Sequence, residues 1–223
     1  MAPREILARV LRALQEPQIV PVAALLADAF VDNTAYGFLF PELVSRKKKL
    51  ADFFARNLTT HLPYRCTFVW APAPDEVFAT VTLRPPSGVP VSIWTMIRRG
   101  LLPFAMRNGG GAVRRLFYLI EQTERIDKEA SSGRAHWHVH MMAVRPDRQG
   151  SGIGTRLLSD VFAADGGPSA SQHPISLTTE RPENLRFYSR LGFELQREYQ
   201  LGGLIGGQSF RTWTMLREAG TSG

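Results

Sequence analysis

The sequence contains very little cysteine: Cys66 is the only one in 223 residues. A single cysteine excludes a disulfide within the chain, so the fold must rely on its apolar core, and a reducing, cytoplasmic location is expected. Cys66 is also a weak candidate for a catalytic nucleophile, because an isolated cysteine beside an apolar run is usually buried and unreactive.

Long apolar segments are lacking as well. No run reaches the ~18 apolar residues that a membrane-spanning helix requires, so we expect no membrane association. The chain starts Met-Ala-Pro-Arg-Glu, which is charged and leads into no apolar segment, so a secretory signal is not expected. Internal repeats are absent, which favours a single domain over residues 1–219 with a flexible polar tail at 220–223.

Acidic residues are fewer than basic ones: the chain has 20 aspartates and glutamates and 27 lysines and arginines, for a net charge of +7. This excess favours an anionic partner, and nucleic acid, a membrane surface and a phosphate-bearing small molecule all fit it. The basic residues are spread along the chain instead of being concentrated on one element, so nucleic acid is not expected. Their densest group, residues 46–49, lies in the amphipathic stretch 43–60 and is typical of a solvent-facing helix surface.

Apolar periodicity predicts strands and helices that alternate along the chain, as in an α/β domain. Residues 7–14 fit a short strand or a helix equally well. The predicted strands are 66–71, 77–83, 137–144, 175–179, 193–199 and 210–215, of which the first two form a hairpin. The predicted helices are 21–30, 43–60, 93–107, 112–129, 152–164 and 183–191. The block 84–130 is interpreted as a helical insertion or cap, divided at Asn108–Gly111.

A glycine-rich turn between a predicted strand and a predicted helix is the most informative motif. It reads Gln149-Gly150-Ser151-Gly152-Ile153-Gly154-Thr155 and follows Arg148. Glycine permits a positive φ and the close approach of a ligand, and the free amides at a helix N-terminus attract anions, so the turn is predicted to bind a pyrophosphate. It is neither a Rossmann fingerprint, which needs glycine where Thr155 stands, nor a Walker A loop, which needs Gly-Lys-Ser/Thr.

The turn matches the pattern Gln/Arg-x-x-Gly-x-Gly/Ala and resembles the acetyl-CoA loop of the GNAT superfamily of N-acetyltransferases. A second stretch, Asn184-Leu-Arg-Phe187-Tyr188 followed by Gly192-Phe193, resembles the Asn-x-x-x-Tyr…Gly-Phe signature of that family. The resemblance is good over residues 136–216 and covers the first half only in outline. The overall layout is similar to that of the puromycin N-acetyltransferases, with one departure: a carboxylate expected at position 178 is replaced by Thr178, so its role cannot be transferred to this chain.

The resemblance implies acetyl-CoA as cosubstrate, with its pyrophosphate on residues 149–155 and its pantetheine paired with the backbone around Met142 and Val144. Asn184 and Phe187 are expected to border it. The complete set of expected cofactor-binding residues is Met142, Ala143, Val144, Arg148, Gln149, Gly150, Ser151, Gly152, Ile153, Gly154, Thr155, Asn184 and Phe187.

Three histidines, His136, His138 and His140, alternate along a predicted strand and should therefore point to one face. Unperturbed imidazole has a pKa of ~6.5, which suits it to take the proton of an alkylammonium at neutral pH. The stretch 138–144 resembles the His-x-His strand of the arylalkylamine N-acetyltransferases, which implies that His138 and His140 deprotonate the amine, directly or through water.

Two other interpretations of these histidines stay open. They can simply satisfy hydrogen bonds within the strand, or chelate a metal ion together with ligands from elsewhere. His61, His173 and Cys66 are available as further metal ligands, but their spacing in the sequence matches no metal-binding motif, so no metal is expected.

Tyr188 is the expected acid, because a tyrosine is protonated at neutral pH and the matching residue of the family lies near the CoA sulfur. The alternative is that Tyr188 only packs against its neighbours.

Together these patterns predict an α/β GNAT fold in which a mixed, twisted sheet, flanked by helices, splays between strands 137–144 and 175–179. The predicted reaction is direct acetyl transfer from acetyl-CoA to a primary amine of a small molecule, in a ternary complex on a monomer or homodimer. The alternatives are a CoA-binding module of the same fold that transfers nothing, and acetylation of a protein or peptide amine.

Overall fold

The computed structural model describes residues 11–73, 76–88, 97, 101–203 and 208–220. Seven strands lie in these residues: β1 Leu11–Ala13, β2 Thr67–Trp70, β3 Ala79–Arg84, β4 Trp137–Val144, β5 Ile175–Thr179, β6 Glu194–Leu201 and β7 Phe210–Arg217. They form one mixed sheet in the order β1-β2-β3-β4-β5-β7-β6. Neighbouring strands are antiparallel except β4 and β5, which are parallel.

Six α-helices are described: α1 Ile19–Phe30, α2 Thr34–Leu39, α3 Leu43–His61, α4 Leu102–Ala130, α5 Ile153–Ala163 and α6 Pro182–Ser189. Apolar residues of α1, α3 and α4 form one buried cluster, which also includes Met141 and Ala143 of β4. Apolar residues of α5 and Tyr188 of α6 form another, which includes Val139 of β4. Helices therefore cover both faces of the sheet, and β4 contributes to both clusters. Each helix in the described part of the chain is too short or too polar to cross a bilayer.

The predicted strands agree with the structure to within two residues at each end, and the hairpin of β2 and β3 is confirmed. The ambiguous stretch 7–14 contains strand β1, and residues 1–10 lie outside the described part. Most strand patterns were clear because the runs alternate or are largely apolar over a length typical of strands; β6 is the exception, since its residues are mostly polar and exposed.

The division predicted at Asn108–Gly111 is present but narrower. Gly109 alone leaves the helical region, with φ 74° and ψ 171°, so two helical segments meet at a kink within α4. Gly110 and Gly111 stay helical despite their low propensity, because Phe104 and Ala112 on either side of the kink are buried in the same apolar cluster. The predicted helix start at residue 93 lies outside the described residues.

Strand β4 contains a β-bulge at His140. Leu83 pairs with Val139 and Thr82 pairs with Met141, so His140 has no residue opposite it on β3. One extra residue reverses which side chains face which side of the sheet, and this is why Val139 packs with α5 while Met141 packs with α1 and α3. The sequence alternation alone did not predict this bulge.

The predicted splay of the sheet is confirmed. β4 and β5 pair only through Trp137, His138 and Val139, opposite residues 175–177. Beyond that point β4 continues to Val144 beside β3 alone, while the rest of β5 pairs with β7. The two parallel strands therefore diverge immediately after the bulge and leave a wedge-shaped opening in the sheet.

Helix α5 approaches β4 closely at Gly154. A Cβ atom there would lie 3.1 Å from Met142 Cε and 3.4 Å from both Phe187 Cζ and Val144 Cγ2. Any side chain larger than that of glycine therefore presses on these three side chains.

We expect Gly154→Val to lower the free energy of unfolding by ~2 kcal/mol, because the space beside Gly154 is already filled. Thermal unfolding should show a melting temperature ~4–8 °C lower. Ser159→Val, on the exposed face of the same helix, is the matched control; equal losses in the two variants would contradict close packing at Gly154.

Candidate active site

A cleft of about 610 Å3 occupies the opening between β4 and β5. Apart from Ser151, every site residue predicted from the sequence lines this cleft: His138, His140, Met142, Ala143, Val144, Arg148, Gln149, Gly150, Gly152, Ile153, Gly154, Thr155, Asn184, Phe187 and Tyr188. Ser151 belongs to the same turn, but its hydroxyl donates to the carbonyl of Arg148. The fold thus joins the predicted anion-binding turn and the predicted proton-transfer residues in one space.

The glycine turn has the backbone that its sequence indicates. Gly150 and Gly152 adopt φ of 75° and 82°, and Gly152 is the N-cap of α5. A residue with a side chain would be strained there, and a glycine N-cap leaves the first amides of the helix without a side-chain acceptor. The guanidinium of Arg148 lies 4.8 Å from the centre of the Phe78 ring, at the mouth of the turn. This arrangement can bind an anion.

The last three residues of β4 have one edge free of β5. Met142 to Val144 pair with β3 on one side, and β5 has already diverged on the other. The Gln149 side chain donates to the carbonyl of Val144 at 3.1 Å, which ties the glycine turn to the end of the strand. A ligand with amide groups can therefore extend the sheet at this edge.

Asn184, Phe187 and Tyr188 lie on α6 across the opening. Asn184 donates to Thr179 Oγ1 at 2.9 Å, and the Phe187 ring lies 4.9 Å from that of Tyr188. Tyr188 is buried, and its hydroxyl contacts Met142 Sδ at 3.9 Å. Burial, together with the charge of Glu180, raises the pKa of Tyr188 above its usual value, so the hydroxyl stays protonated and can act as a donor.

His138 is held by two groups that the sequence analysis did not identify. Its Nδ1 lies 2.8 Å from Ser176 Oγ and 3.0 Å from Asp127 Oδ1, and the Ser176 hydroxyl donates to the same carboxylate oxygen at 2.6 Å. An ionised carboxylate only accepts hydrogen bonds, so the proton of a neutral His138 sits on Nδ1. Its Nε2 then carries a free lone pair.

His140 lies further along the cleft, with its ring centre 6.1 Å from that of His138 and 6.0 Å from that of His61. Burial, followed by the positive charge of Arg84, lowers the pKa of His140 well below its usual value. Burial also lowers the pKa of His61. Both rings are therefore neutral at pH 7, and His140 can accept a proton only briefly.

Asp127 links His138 to His136. His136 Nδ1 donates to the carbonyl of Arg134 at 2.7 Å, and its Nε2 lies 2.8 Å from Asp127 Oδ2. Both ring nitrogens of His136 face acceptors, which favours the doubly protonated ring, and the hydrogen bond to Asp127 raises its pKa. Burial opposes ionisation of Asp127, but the hydrogen bonds from His136, His138 and Ser176 outweigh it and hold the pKa of this carboxyl well below its usual range.

Three side chains bring atoms that could bind a metal ion close together, as the metal interpretation of the histidines requires. Oxygen and nitrogen atoms of Asp127, His136 and His138 lie within 4.8 Å of one another. His61, His173 and Cys66, the additional ligands considered from the sequence, are not part of this group. Each of the three members already has hydrogen-bond partners of matching type, so the arrangement is satisfied as a carboxylate–histidine network.

The inner end of the cleft is aromatic and apolar. Phe30, Tyr36 and Phe53 line it, with ring centres of Phe30 and Tyr36 5.4 Å apart. Leu116, Leu119 and Ile120 of helix α4 also line the cleft. Glu180, directly after β5, is a carboxylate in the same cleft that the sequence analysis gave no role.

Comparison with known proteins supports the predicted family. A family model described as an acetyltransferase (GNAT) domain matches residues 114–195. The chain is similar in structure to a mosquito protein described as arylalkylamine N-acetyltransferase like 5b. The TM-score is 0.62 and the identity 16%, and the match covers 94% of this chain and 99% of that chain.

Two further structures extend this likeness. One, from Corynebacterium glutamicum, is described as histone acetyltransferase HPA2 and related acetyltransferase (TM-score 0.60, 15% identity, 96% and 97% covered). The other is a polyamine N-acetyltransferase of Drosophila melanogaster that catalyses the formation of N-acetylagmatine (TM-score 0.55, 17% identity, 94% and 99% covered). At these identities the structures show a shared fold alone, and the similarity to the GNAT acetyltransferase domain model extends over residues 114–195.

Proposed function

We propose that the protein transfers acetyl from acetyl-CoA directly to the primary amine of a small molecule. The observation that carries this proposal is that one cleft is lined both by the glycine turn and by His138, His140 and Tyr188. An anion-binding turn alone would fit many ligands. Together with a proton acceptor and a buried hydroxyl donor, it fits acyl transfer from a phosphate-bearing thioester.

The residues of the outer cleft fit acetyl-CoA. Gly150 and Gly152 leave the backbone amides at the start of α5 open to a pyrophosphate, and Arg148 adds a positive charge beside them. The free edge of Met142, Ala143 and Val144 offers hydrogen bonds to the amides of pantetheine. Its thioester would then lie near the Tyr188 hydroxyl, which contacts Met142.

In the proposed reaction, His138 Nε2 takes a proton from the bound ammonium, with neutral His140 as a relay. The neutral amine attacks the thioester carbonyl, a C–N bond forms and the C–S bond breaks. Tyr188 donates its proton to the leaving thiolate, and the acylated nitrogen, which still carries one proton more than an amide, gives that proton to the Tyr188 phenolate. Transfer is direct, because the cleft is not lined by an activated nucleophile among the described residues and burial raises the pKa of the Cys66 thiol.

A small acceptor is favoured by the inner cleft, whose walls are aromatic and apolar side chains of α1, α2, α3 and α4. Some structural neighbours act on small amines, agmatine among them. Another is described as a ribosomal-protein-alanine N-acetyltransferase, so a protein amine is the second candidate. A screen that measures CoA release with small amines and with N-terminal peptides distinguishes the two.

Acetyl-CoA binding is the first test. Isothermal titration should give saturable binding near one-to-one, and Gly152→Glu should weaken it ~100-fold or more, because a carboxylate enters the phosphate site and the positive φ disfavours a side chain. Gly166→Glu is the matched control, since Gly166 is also exposed with a φ of 71° but lies outside the cleft. Normal acetyl-CoA binding by Gly152→Glu would contradict the assignment of the turn.

Tyr188→Phe should lower kcat ~100-fold while leaving the Kd for acetyl-CoA unchanged, because the ring still packs but no proton reaches the thiolate. Steady-state kinetics and titration measure the two quantities. Tyr199→Phe removes a hydroxyl that bonds Glu129 outside the cleft and should change neither. An unchanged kcat for Tyr188→Phe would remove the acid role.

Asp127→Asn should lower kcat at pH 7 ~10-fold or more, because the amide no longer fixes the proton of His138 on Nδ1. The loss should shrink as the pH approaches the pKa of the acceptor amine, where free amine needs no base. A pH profile of kcat is therefore the measurement. Glu121→Gln, an exposed carboxylate on the same helix, is the control; a loss that stays constant with pH would mean that Asp127 is only structural.

The same substitution has a signed effect on stability. Asp127, with its lowered pKa, contributes stability that is lost as the pH falls through that pKa. His136, with its raised pKa, contributes stability that is present below its unfolded pKa of ~6.5 and lost as the pH rises through the raised value. The difference in melting temperature between wild type and Asp127→Asn should therefore be larger at pH 6 than at pH 9.

A further inference from the structure

Glu180 is placed in the cleft by the end of β5. Its Oε2 accepts a hydrogen bond from Asn33 Nδ2 at 2.9 Å, and its Oε1 accepts one from Thr212 Oγ1 at 3.2 Å. Asn33 and Thr212 are themselves buried, at 4% and 1% exposure. Two buried neutral donors from distant parts of the chain therefore fix the orientation of this carboxylate, and its accessible surface faces the cleft.

The carboxylate of Glu180 has no cationic partner among the described residues. None of the thirteen ion pairs in that part of the chain includes it. A carboxylate in a poorly hydrated site is costly when neutral groups are its only partners, and burial raises the pKa of Glu180 accordingly. A ligand that brings a positive charge offsets this cost, whereas a neutral ligand does not.

The surroundings of Glu180 match an organic cation. Its charge, after burial, contributes to the raised pKa values of both Tyr36 and Tyr188, and all three residues line the same cleft. Tyr36 packs at 5.4 Å from Phe30 and 6.2 Å from Phe53, and all three rings line the cleft. Aromatic faces attract cations, and a carboxylate accepts the N–H donors of an ammonium.

We propose that Glu180 binds the protonated amino group of the acceptor and thereby selects amines that are cations in water over neutral analogues of the same shape. This inference rests on the proposed function and adds the residue that recognises the acceptor. Glu180 stabilises the ammonium, so the proton must leave to a base on another wall of the cleft, where His138 and His140 lie. Asn33 and Thr212 are positioning residues for Glu180.

The test compares phenethylamine, which is a cation at pH 7, with 2-phenylethanol, its neutral analogue of similar shape. Each is titrated into the full chain saturated with CoA. We expect wild type to bind the amine at least ~10-fold more tightly than the alcohol. Glu180→Gln keeps an amide of the same size for Asn33 and Thr212, and should abolish the preference without changing the Kd for the alcohol or for acetyl-CoA.

Glu183→Gln is the matched control, since Glu183 is an exposed carboxylate of α6 that does not line the cleft. It should keep the wild-type preference. The proposal is overturned if wild type binds the two probes equally, if it does not bind phenethylamine, or if Glu180→Gln retains the preference.

A parallel assay of CoA release from acetyl-CoA separates this inference from the proposed function. Preference for the amine that disappears in Glu180→Gln, without any CoA release, would retain the cation site and reject acetyl transfer. Acetyl transfer to phenethylamine with the same KM in wild type and Glu180→Gln would retain the activity and reject the role of Glu180.

Discussion

The parallel pairing of β4 and β5 lasts for three residues and then stops, and the rest of the molecule depends on that break. Within a regular sheet, the backbone of Met142 to Val144 would be hydrogen-bonded on both sides and closed to any ligand. The bulge at His140 interrupts the regular pairing of β4 with β3 and bends β4 away, while β5 stays paired with β7 along its whole length. The opening that results is the cleft.

The bulge also determines which groups reach the cleft. Before it, Val139 packs with α5; after it, Met142 and Val144 take that side, next to Gly154 and Tyr188, while Met141 packs with α1 and α3. The ring of His140 lies near His61 of α3, on the opposite side of the sheet from Tyr188. A proposed base on one face and a proposed acid on the other can act on one substrate only because the sheet is open between them.

Much of this architecture is encoded locally and could be predicted from the sequence. Apolar periodicity predicted the strands and helices, and the sequence of 149–155 predicted the glycine turn before α5, because both depend on residues adjacent in the chain. Asp127, Ser176 and Glu180 could not be found this way, since they reach the site through packing between α4, β4 and β5. The only local signal for Glu180 was its place directly after a predicted strand, two residues beyond Thr178, where the sequence departs from the puromycin N-acetyltransferases that it resembles. The apolar–polar alternation of β4 does not reveal the bulge, because a histidine such as His140 is compatible with either face of the sheet.

Charge is distributed along the cleft in a way that separates its two proposed ligands. Arg148 lies at the glycine turn, where the open amides of α5 also favour an anion, and Glu180 lies at the aromatic end. A net charge of +7 attracts a polyanion such as CoA to the protein as a whole and repels a cationic amine. A cationic acceptor therefore needs a local negative charge to bind against that field, and in the proposed site Glu180 supplies it, away from the glycine turn proposed for the phosphates. Arg84, on the same cleft, helps keep His140 neutral and thus able to accept a proton. The net charge thus favours the cosubstrate, and local charges inside the cleft favour the acceptor and its deprotonation.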